Sequence, residues 1–398
     1  MFGWRSLFGS VRPAIVLVLV VLVVAACGAD STRSDRIARV ENGLLSPVTG
    51  DAVSVTEMME LYNVPGVSVA VINDFEIEWE KGYGWAEADT DRPVTAETLF
   101  QTGSIGKPIT AAAVLHFVDE GRLDLDTDVN EYLTSWSLPP SVHTTAEKVT
   151  LRRLLSHTAG ITVQGFAGYP LGDPLPTLTQ ILNGEPPANS PSVLSYTVPG
   201  SEEEYSGGGY VIMQQLLEDV TGKPFSQVLR ETVFEPLGMT STFYAAPLPE
   251  EFHSQAASAH TGAGVLSSTG KWHDLPEFGS GAGLWSTPSD LAQFVIGIMR
   301  AYRGESDLVL SQSTAELMLR PIMPGPDFRQ GLGFVISGTG ADLVFAHSGS
   351  NKPGYHAIII AMPDRGQGAA IMTNADSGAT LYGLILNSLS SEYQSPDS

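Results

Sequence analysis

The chain of 398 residues contains a single cysteine, Cys27, so no disulfide bond can form within it. Its stability must therefore come from a buried core, and a hydrophobic content of 43% suffices for one large domain or two closely associated ones. Basic residues are also few, with 21 Lys and Arg against 44 Asp and Glu. Because affinity for phosphate backbones depends on neutralisation by Lys and Arg, this composition excludes a nucleic-acid partner.

Several motifs of known chemistry are missing as well. The eight histidines never occur in the pattern H-E-x-x-H or a similar spacing, so we expect no metal and no other cofactor. There is no G-x-S-x-G segment, which disfavours the α/β-hydrolase fold. The sequence also contains no internal repeat and no low-complexity tract.

The longest apolar run is short. Residues 14–26 are uninterrupted apolar and follow Arg5 and Arg12, whereas a membrane-spanning helix needs roughly 20 such residues. The run therefore predicts a signal peptide, residues 1–26, and the small residues before Cys27 resemble a bacterial lipobox. We expect Cys27 to be lipidated, residues 27–48 to form a linker, and the protein to lie in the cell envelope on the outer face of a membrane. Ordinary signal cleavage and a short uncleaved anchor are the alternatives.

The rest of the chain has an α/β pattern, which we assign to a domain over 49–393 with a tail at 394–398. A buried strand is predicted at 67–72 and a returning strand of alternating pattern at 75–79, with a turn at Asn73–Asp74 between them. A helix is predicted over 104–120. The region 122–250 contains helical segments but no convincing strands. Strand patterns return at 333–336, 343–346, 355–361 and 369–372, before a last helix at 379–390. The expected fold is one antiparallel sheet, built from both ends of the chain and flanked by helices, with an inserted helical region.

Ser104 and Lys107 form an S-x-x-K pattern at the start of the helix predicted over 104–120. Residues i and i+3 share a helix face, so the Lys107 ammonium can reach the Ser104 hydroxyl. A serine hydroxyl becomes a good nucleophile when a base removes its proton, and lysine can serve as that base when burial lowers its pKa. The alternative is a helix-capping serine beside a solvated lysine.

Two further segments contain chemically useful side chains. Tyr205-Ser206-Gly207 precedes a predicted helix, and His347-Ser348-Gly349 lies on a predicted strand. Taken singly, Tyr205 could be a buried aromatic residue and His347 a hydrogen-bonded strand histidine. His157, in a Ser-His-Thr-Ala-Gly loop, is interpreted as structural.

In this order, the three segments resemble those of the penicillin-recognising, β-lactamase-related serine hydrolases. That family includes class C β-lactamases, D,D-carboxypeptidases, D-aminopeptidases and family VIII esterases. The resemblance extends over residues 60–375 and includes the flanking segments 64–71, 82–84, 99–104, 154–161, 236–239 and 286–291. It implies acyl transfer through a covalent acyl-enzyme.

The resemblance also implies a role for each residue. Ser104 would attack a carbonyl, with Lys107, Tyr205 and His347 as the other catalytic residues. The backbone N–H groups of Ser104 and Ser350 would form the oxyanion hole. Substrate binding would fall to Gly207, Ser348 and Gly349.

Two departures from the family pattern affect the choice of substrate. Gly207 stands where the family usually has Asn, and His347 stands where β-lactamases have Lys. A neutral imidazole holds a substrate carboxylate poorly. An esterase or a D-amino-acid-type peptidase is therefore favoured, acting on a small ester or amide or on a cell-wall peptide, with a β-lactamase or D,D-carboxypeptidase as the alternative. A cell-envelope lipoprotein that binds without catalysis is the hypothesis from another class.

Overall fold

A computed structural model describes residues 33–323 and 329–393. These residues form two compact units. The first comprises 33–55 and 383–393, and the second comprises 56–382. In the first unit, the Arg39 side chain donates hydrogen bonds to the Glu392 carboxylate, and Ser388 Oγ donates to Val40 O at 2.8 Å.

The described residues contain ten α-helices. In chain order these are α1 (Arg33–Glu41), α2 (Val55–Tyr62), α3 (Gly106–Asp119), α4 (Leu151–Leu155), α5 (Leu178–Asn183), α6 (Gly207–Thr221), α7 (Phe225–Leu229), α8 (Pro288–Tyr302), α9 (Gln312–Met318) and α10 (Gly378–Tyr393). Short 3-10 turns at Gly103–Ile105 and Phe278–Ser280 are important for the site described below.

The same residues contain fourteen strands, many of them only two residues long. They are β1 (Leu44–Leu45), β2 (Ala52–Val53), β3 (Gly66–Asn73), β4 (Glu76–Gly84), β5 (Phe100–Gln101), β6 (Tyr169–Pro170), β7 (Phe243–Tyr244), β8 (His273–Asp274), β9 (Leu284–Ser286), β10 (Arg329–Gln330), β11 (Val335–Ser337), β12 (Val344–Asn351), β13 (Tyr355–Met362) and β14 (Gln367–Thr373).

The main sheet has seven antiparallel strands in the order β10-β11-β12-β13-β14-β3-β4. The pairing of β14 with β3, in register at Ala370 and Ala70, joins the two ends of the chain. Seven of the eight residues of β3 are buried, so its nearly continuous apolar run fits an interior strand that is paired on both sides. The predicted fold, an antiparallel sheet from both ends with a helical region between, is confirmed.

The hairpin between β3 and β4 turns one residue later than predicted. Asn73 pairs with Glu76, so the turn residues are Asp74 and Phe75, both with positive φ of 53° and 61°. A two-residue hairpin turn with two positive φ angles matches the twist of the strands it joins. Phe75 is an unusual residue there, which explains why the sequence pattern pointed to Asn73–Asp74 instead.

Helix α3 is the central helix of the second unit. All residues from Gly106 to Leu115 are buried, and a helix that is apolar all round must be enclosed by other elements. Pro108 lies in its first turn, where a missing N–H costs no helical hydrogen bond. This burial places the start of α3 deep in the protein, at the end where Ser104 lies.

The predicted linker at 27–48 requires a correction. Residues Arg33–Glu41 form α1, Leu44–Leu45 form β1, and Val40 and Leu44 are buried. The polar composition of this segment predicts a linker, because its few buried apolar residues are too sparse to form a helical or strand pattern. The predicted signal peptide, Cys27 and the tail at 394–398 lie outside the described residues. Within the described ranges, no helix is both long and apolar enough to cross a membrane.

Candidate active site

Ser104 and Lys107 meet as their spacing predicts. Ser104 lies in the 3-10 turn Gly103–Ile105, and Lys107 lies in the first turn of α3. Lys107 Nζ is 3.0 Å from Ser104 Oγ, and the Lys107 side chain is 2% exposed. Burial lowers the pKa of Lys107 to about 7, because removal of water disfavours the ammonium form. A large fraction of Lys107 is therefore a neutral amine at neutral pH, able to accept the Ser104 proton.

A backbone carbonyl fixes the other side of the amine. Ser280 O accepts a hydrogen bond from Lys107 Nζ at 2.6 Å. The turn that provides this carbonyl packs directly on the start of α3, since a Cβ at Gly281 would lie 2.4 Å from Gly103 O. Thr110 Oγ1 also donates to Gly279 O at 3.1 Å. Close backbone packing between glycines thus holds Lys107 in place.

Tyr205 lies over the lysine. Lys107 Nζ is 4.8 Å from the centre of the Tyr205 ring. Burial raises the pKa of Tyr205 well above its ordinary value, although a hydrogen bond with Ser104 opposes the shift. Tyr205 therefore remains a protonated phenol at neutral pH and can donate a hydrogen bond or a proton. The neutral amine of Lys107 is then the group of the pair that can accept a proton.

His157 supports Tyr205 from behind. The two rings lie 4.4 Å apart, and His157 Nδ1 accepts a hydrogen bond from Ser206 N at 3.1 Å. The ring proton is consequently on Nε2. Burial, with the nearby charge of Lys107, lowers the pKa of His157 well below its ordinary value, so the imidazole is neutral. From the sequence, His157 is expected to have a structural role in its loop, and the structure shows that its ring packs against the Tyr205 ring.

His347 is also neutral. It is buried on β12, and its Nδ1 lies 2.8 Å from Ser348 O. Because a carbonyl can only accept, Nδ1 carries the proton and Nε2 has a lone pair. Burial, with a further contribution from the Lys107 charge, lowers the pKa of His347 to about 3. This residue presents a hydrogen-bond acceptor and no positive charge.

The end of β12 runs against the start of α3. A Cβ at Gly349 would lie 1.9 Å from Thr102 O, and a Cβ at Gly103 would lie 2.5 Å from Ser350 N. Only glycine permits this approach, and Gly103 also has a positive φ of 55°. The backbone N–H groups of Ser104 and Ser350 are thereby brought to neighbouring positions, as an oxyanion hole requires.

The two other residues predicted to bind substrate differ in position. Gly207 is the buried first residue of α6, two residues after Tyr205. Ser348 follows His347 on β12 and so points to the opposite face of the sheet, where it lies close to Tyr382. The Ser348 side chain therefore lies on the face of the sheet opposite to His347, whereas Gly207 lies at the site.

The sequence predicts that residues 165–201 and 253–283 line the cleft, but it assigns no individual role to Phe166 or Ser280, which lie in these segments. Ser280 acts through its backbone carbonyl, which no residue type announces, although the glycines on either side of it indicate a close approach. Phe166 is half-buried beside Gly207. Across residues 33–323 and 329–393, no group of three or more His, Cys, Asp or Glu side chains is arranged to hold a metal ion.

Comparison with known proteins identifies the family of the chain. Residues 54–384 match the family Beta-lactamase. Penicillin-binding protein 4 of Amycolatopsis lactamdurans is 27% identical over 335 residues, which cover 81% of this chain and 84% of that protein. An unguisins hydrolase of Aspergillus campestris is 31% identical over 201 residues, which cover 48% of this chain but 35% of the relative.

Solved structures share the fold. The octameric penicillin-binding protein homologue from Pyrococcus abyssi has a TM-score of 0.67 at 25% identity, covering 84% of this chain and 75% of that one. The D-amino acid amidase from Ochrobactrum anthropi has a TM-score of 0.69 at 23% identity, covering 90% and 99%. The match to the family spans most of the chain and includes every segment of the site. The chain therefore belongs to the β-lactamase family and is a serine hydrolase.

Proposed function

We propose that this protein is an esterase that works through an acyl-enzyme on Ser104. The observation that carries the proposal is the pair formed by Ser104 and Lys107. A buried amine 3.0 Å from a hydroxyl, with its pKa lowered to about 7, is the activated nucleophile that acyl transfer needs. A protein that only binds its partner has no use for such a pair.

In the first step, Ser104 Oγ forms a bond to the carbonyl carbon of the substrate, and its proton passes to Lys107 Nζ. The carbonyl oxygen becomes an oxyanion, which accepts hydrogen bonds from the N–H groups of Ser104 and Ser350. Each such donor typically contributes about 3 to 4 kcal/mol to the transition state. The close packing of Gly349 on Thr102 supports this role, because it fixes both donors before substrate arrives.

In the second step, the bond between the carbonyl carbon and the leaving oxygen breaks. Tyr205 donates its phenolic proton to that oxygen and regains one from Lys107. A water molecule then forms a bond to the carbonyl carbon of the acyl-enzyme and gives a proton to Lys107. The bond between that carbon and Ser104 Oγ breaks, Ser104 Oγ takes the proton back from Lys107, and the acid is released. The raised pKa of Tyr205 supports its role as a donor, because the phenol stays protonated between turnovers.

The state of His347 supports an ester over a β-lactam or a D-Ala-D-Ala peptide. Those two substrates carry a carboxylate, which a cationic side chain usually holds. Here the pKa of about 3 keeps His347 uncharged, and its proton is engaged by Ser348 O. A neutral ester, or the amide of a D-amino acid as the second candidate, needs no such cation.

The test is turnover by the full chain, purified in mild detergent. The substrates are p-nitrophenyl butyrate, a D-amino acid p-nitroanilide, nitrocefin and a D-Ala-D-Ala peptide. Ser104→Ala is the inactive variant, and Ser226→Ala on α7, outside the site, is the matched control. We expect the ester to be cleaved fastest by the wild type and by the control, and not at all by Ser104→Ala. Labelling by a fluorophosphonate probe should be confined to Ser104.

Each other outcome selects an alternative. Faster turnover of nitrocefin or of the D-Ala-D-Ala peptide favours a β-lactamase or a D,D-carboxypeptidase. If neither turnover nor labelling occurs in the wild type, the catalytic assignment fails and a binding lipoprotein remains.

We further propose that the protein is exported and held at the outer face of a membrane by lipid on Cys27. The apolar run at 14–26 and the single cysteine immediately after it support this location. Metabolic labelling of a bacterial host with a palmitate analogue tests it. Label is expected in the wild type and absent from Cys27→Ser, which should then appear in the soluble fraction. Equal labelling of both, or neither labelled, contradicts the lipid anchor.

A further inference from the structure

The start of α6 is covered by the loop of residues 162–166. Gly207 N donates to Gln164 O at 3.2 Å, and Gly208 N donates to Val163 O at 2.9 Å. Gly209 N donates to Ser206 Oγ at 2.9 Å. The first three N–H groups of α6 are therefore used within the protein. They leave this end of the helix without a polar group to offer a substrate.

The loop also occupies the space of a side chain at position 207. A Cβ at Gly207 would lie 3.1 Å from Phe166 Cε2 and 3.1 Å from Gln164 O. An amide side chain at 207 would thus run into the Phe166 ring. At the point where the family usually has Asn, the nearest side chain in this protein is an aromatic ring.

The loop keeps this position although the backbone of one of its residues, Val163, is strained. Val163 has a positive φ of 65°, which is unfavourable for a β-branched residue. Such strain persists only where surrounding contacts enforce it, and the hydrogen bond from Gly208 N to Val163 O is one of these contacts. The Phe166 ring is consequently fixed beside Gly207, half-buried, with part of its surface exposed.

The charges near Tyr205 and His347 also favour a neutral substrate. Glu202 precedes Tyr205 in the chain and is exposed, and His347 is neutral. An anionic substrate would meet repulsion from Glu202 and would find no compensating cation at His347.

From these observations we propose that Phe166 is a specificity-determining residue, and that its ring is the apolar wall on which the acyl chain of the substrate packs. The selected substrates are neutral esters with an apolar acyl chain of several carbons. This inference rests on the proposed esterase function and adds the substrate class. Each methylene of the chain buried against the wall contributes about fourfold to kcat/KM.

The experiment uses p-nitrophenyl acetate, butyrate and hexanoate, which differ only in the acyl chain. For the wild type we expect kcat/KM to rise from acetate to hexanoate. Phe166→Ala should lower kcat/KM for hexanoate about tenfold and for acetate less than twofold. Phe166→Leu, which keeps apolar bulk, should retain most of the preference. Phe252→Ala, a half-buried phenylalanine remote from the site in sequence, is the matched control and should behave as the wild type.

A second variant tests the space itself. Gly207→Asn forces the ring aside and is expected to reduce the preference for hexanoate in the same way as Phe166→Ala, with acetate still cleaved. Thermal unfolding of every variant identifies those that fail to fold.

The results separate the two proposals. A wild type that cleaves none of the three esters contradicts the esterase function. A wild type that cleaves all three at equal rates, or a Phe166→Ala variant that loses acetate and hexanoate activity alike, leaves the esterase function standing and overturns the role of Phe166. The wild-type chain-length profile gives this answer even if Phe166→Ala does not fold.

Discussion

The buried amine of Lys107 makes the pH dependence of acylation a direct test of the mechanism. The active form is the neutral amine, so the rate should be low when Lys107 is protonated and should rise as pH passes through its pKa. Burial lowers that pKa from 10.5 to about 7. At pH 7, an ordinary lysine is neutral in about one molecule in 3,000, whereas Lys107 is neutral in about half of them. Burial thus increases the fraction of competent base about a thousandfold.

The assay is kcat/KM for p-nitrophenyl butyrate between pH 5 and 10, with each rate corrected for spontaneous hydrolysis. We expect a rise with a midpoint near pH 7 and a plateau above pH 8. Lys107→Arg keeps the positive charge but cannot lose its proton, because the pKa of guanidinium exceeds 12. It should therefore lower kcat/KM by about a thousandfold or more at every pH. Lys223→Arg, at an exposed lysine paired with Glu231, is the matched control and should leave the profile unchanged.

Two results would refute this reasoning. A midpoint near pH 10 would mean that Lys107 is solvated and has an ordinary pKa. A Lys107→Arg variant within tenfold of the wild type would mean that another group accepts the Ser104 proton.

Three further predictions follow from the same structure. His347→Lys should raise kcat/KM for a substrate bearing a carboxylate relative to a neutral ester. Its positive charge should also lower the midpoint of the pH profile below 7, because it disfavours the protonated form of Lys107, and an unchanged midpoint would show that the two groups do not interact. Gly281→Ala should lose activity and several kcal/mol of stability, because its Cβ would lie 2.4 Å from Gly103 O. Gly121 has a similar positive φ but no atom within 4 Å of its added Cβ, so Gly121→Ala should cost only about 1–2 kcal/mol. Urea unfolding measures both losses of stability, and equal losses would contradict the packing argument. Burial raises the pKa of Glu277 from 4.5 to about 7, so folding is favoured while Glu277 is protonated below pH 4.5, and this stabilisation is lost as pH rises to 7. Glu277→Gln should therefore be more stable than the wild type at pH 8, by at most about 3 kcal/mol, and less so at pH 5. A stability difference that does not change with pH would contradict this prediction.

The sequence predicted the elements whose signal repeats along the chain. The continuous apolar run of β3 and the strand patterns of β12 to β14 were sufficient to predict a sheet from both ends. The i to i+3 spacing predicted that Ser104 and Lys107 would meet, because helix geometry alone brings them to one face.

The sequence could not predict features that depend on backbone contacts between distant segments. The Ser280 carbonyl reaches Lys107 because the surrounding glycines allow two loops to touch, and a carbonyl belongs to every residue. The Phe166 ring lies beside Gly207 because of hydrogen bonds between backbones, which leave no periodic pattern. The short helix at Arg33–Glu41 gives no sequence pattern, because only one of its residues, Val40, is buried.

The pairing of β3 with β14 also dictates when this protein can fold. The hydrogen bond from Gly66 N to Asn374 Oδ1 links residues 308 positions apart, and the adjacent strands β14 and β3 are the fifth and sixth of the seven strands in the main sheet. A contact of such sequence separation forms slowly, because the chain must lose much conformational entropy before the pairing rewards it. A nascent chain emerging from the ribosome therefore cannot complete its sheet until β14, Gln367–Thr373, has been synthesised.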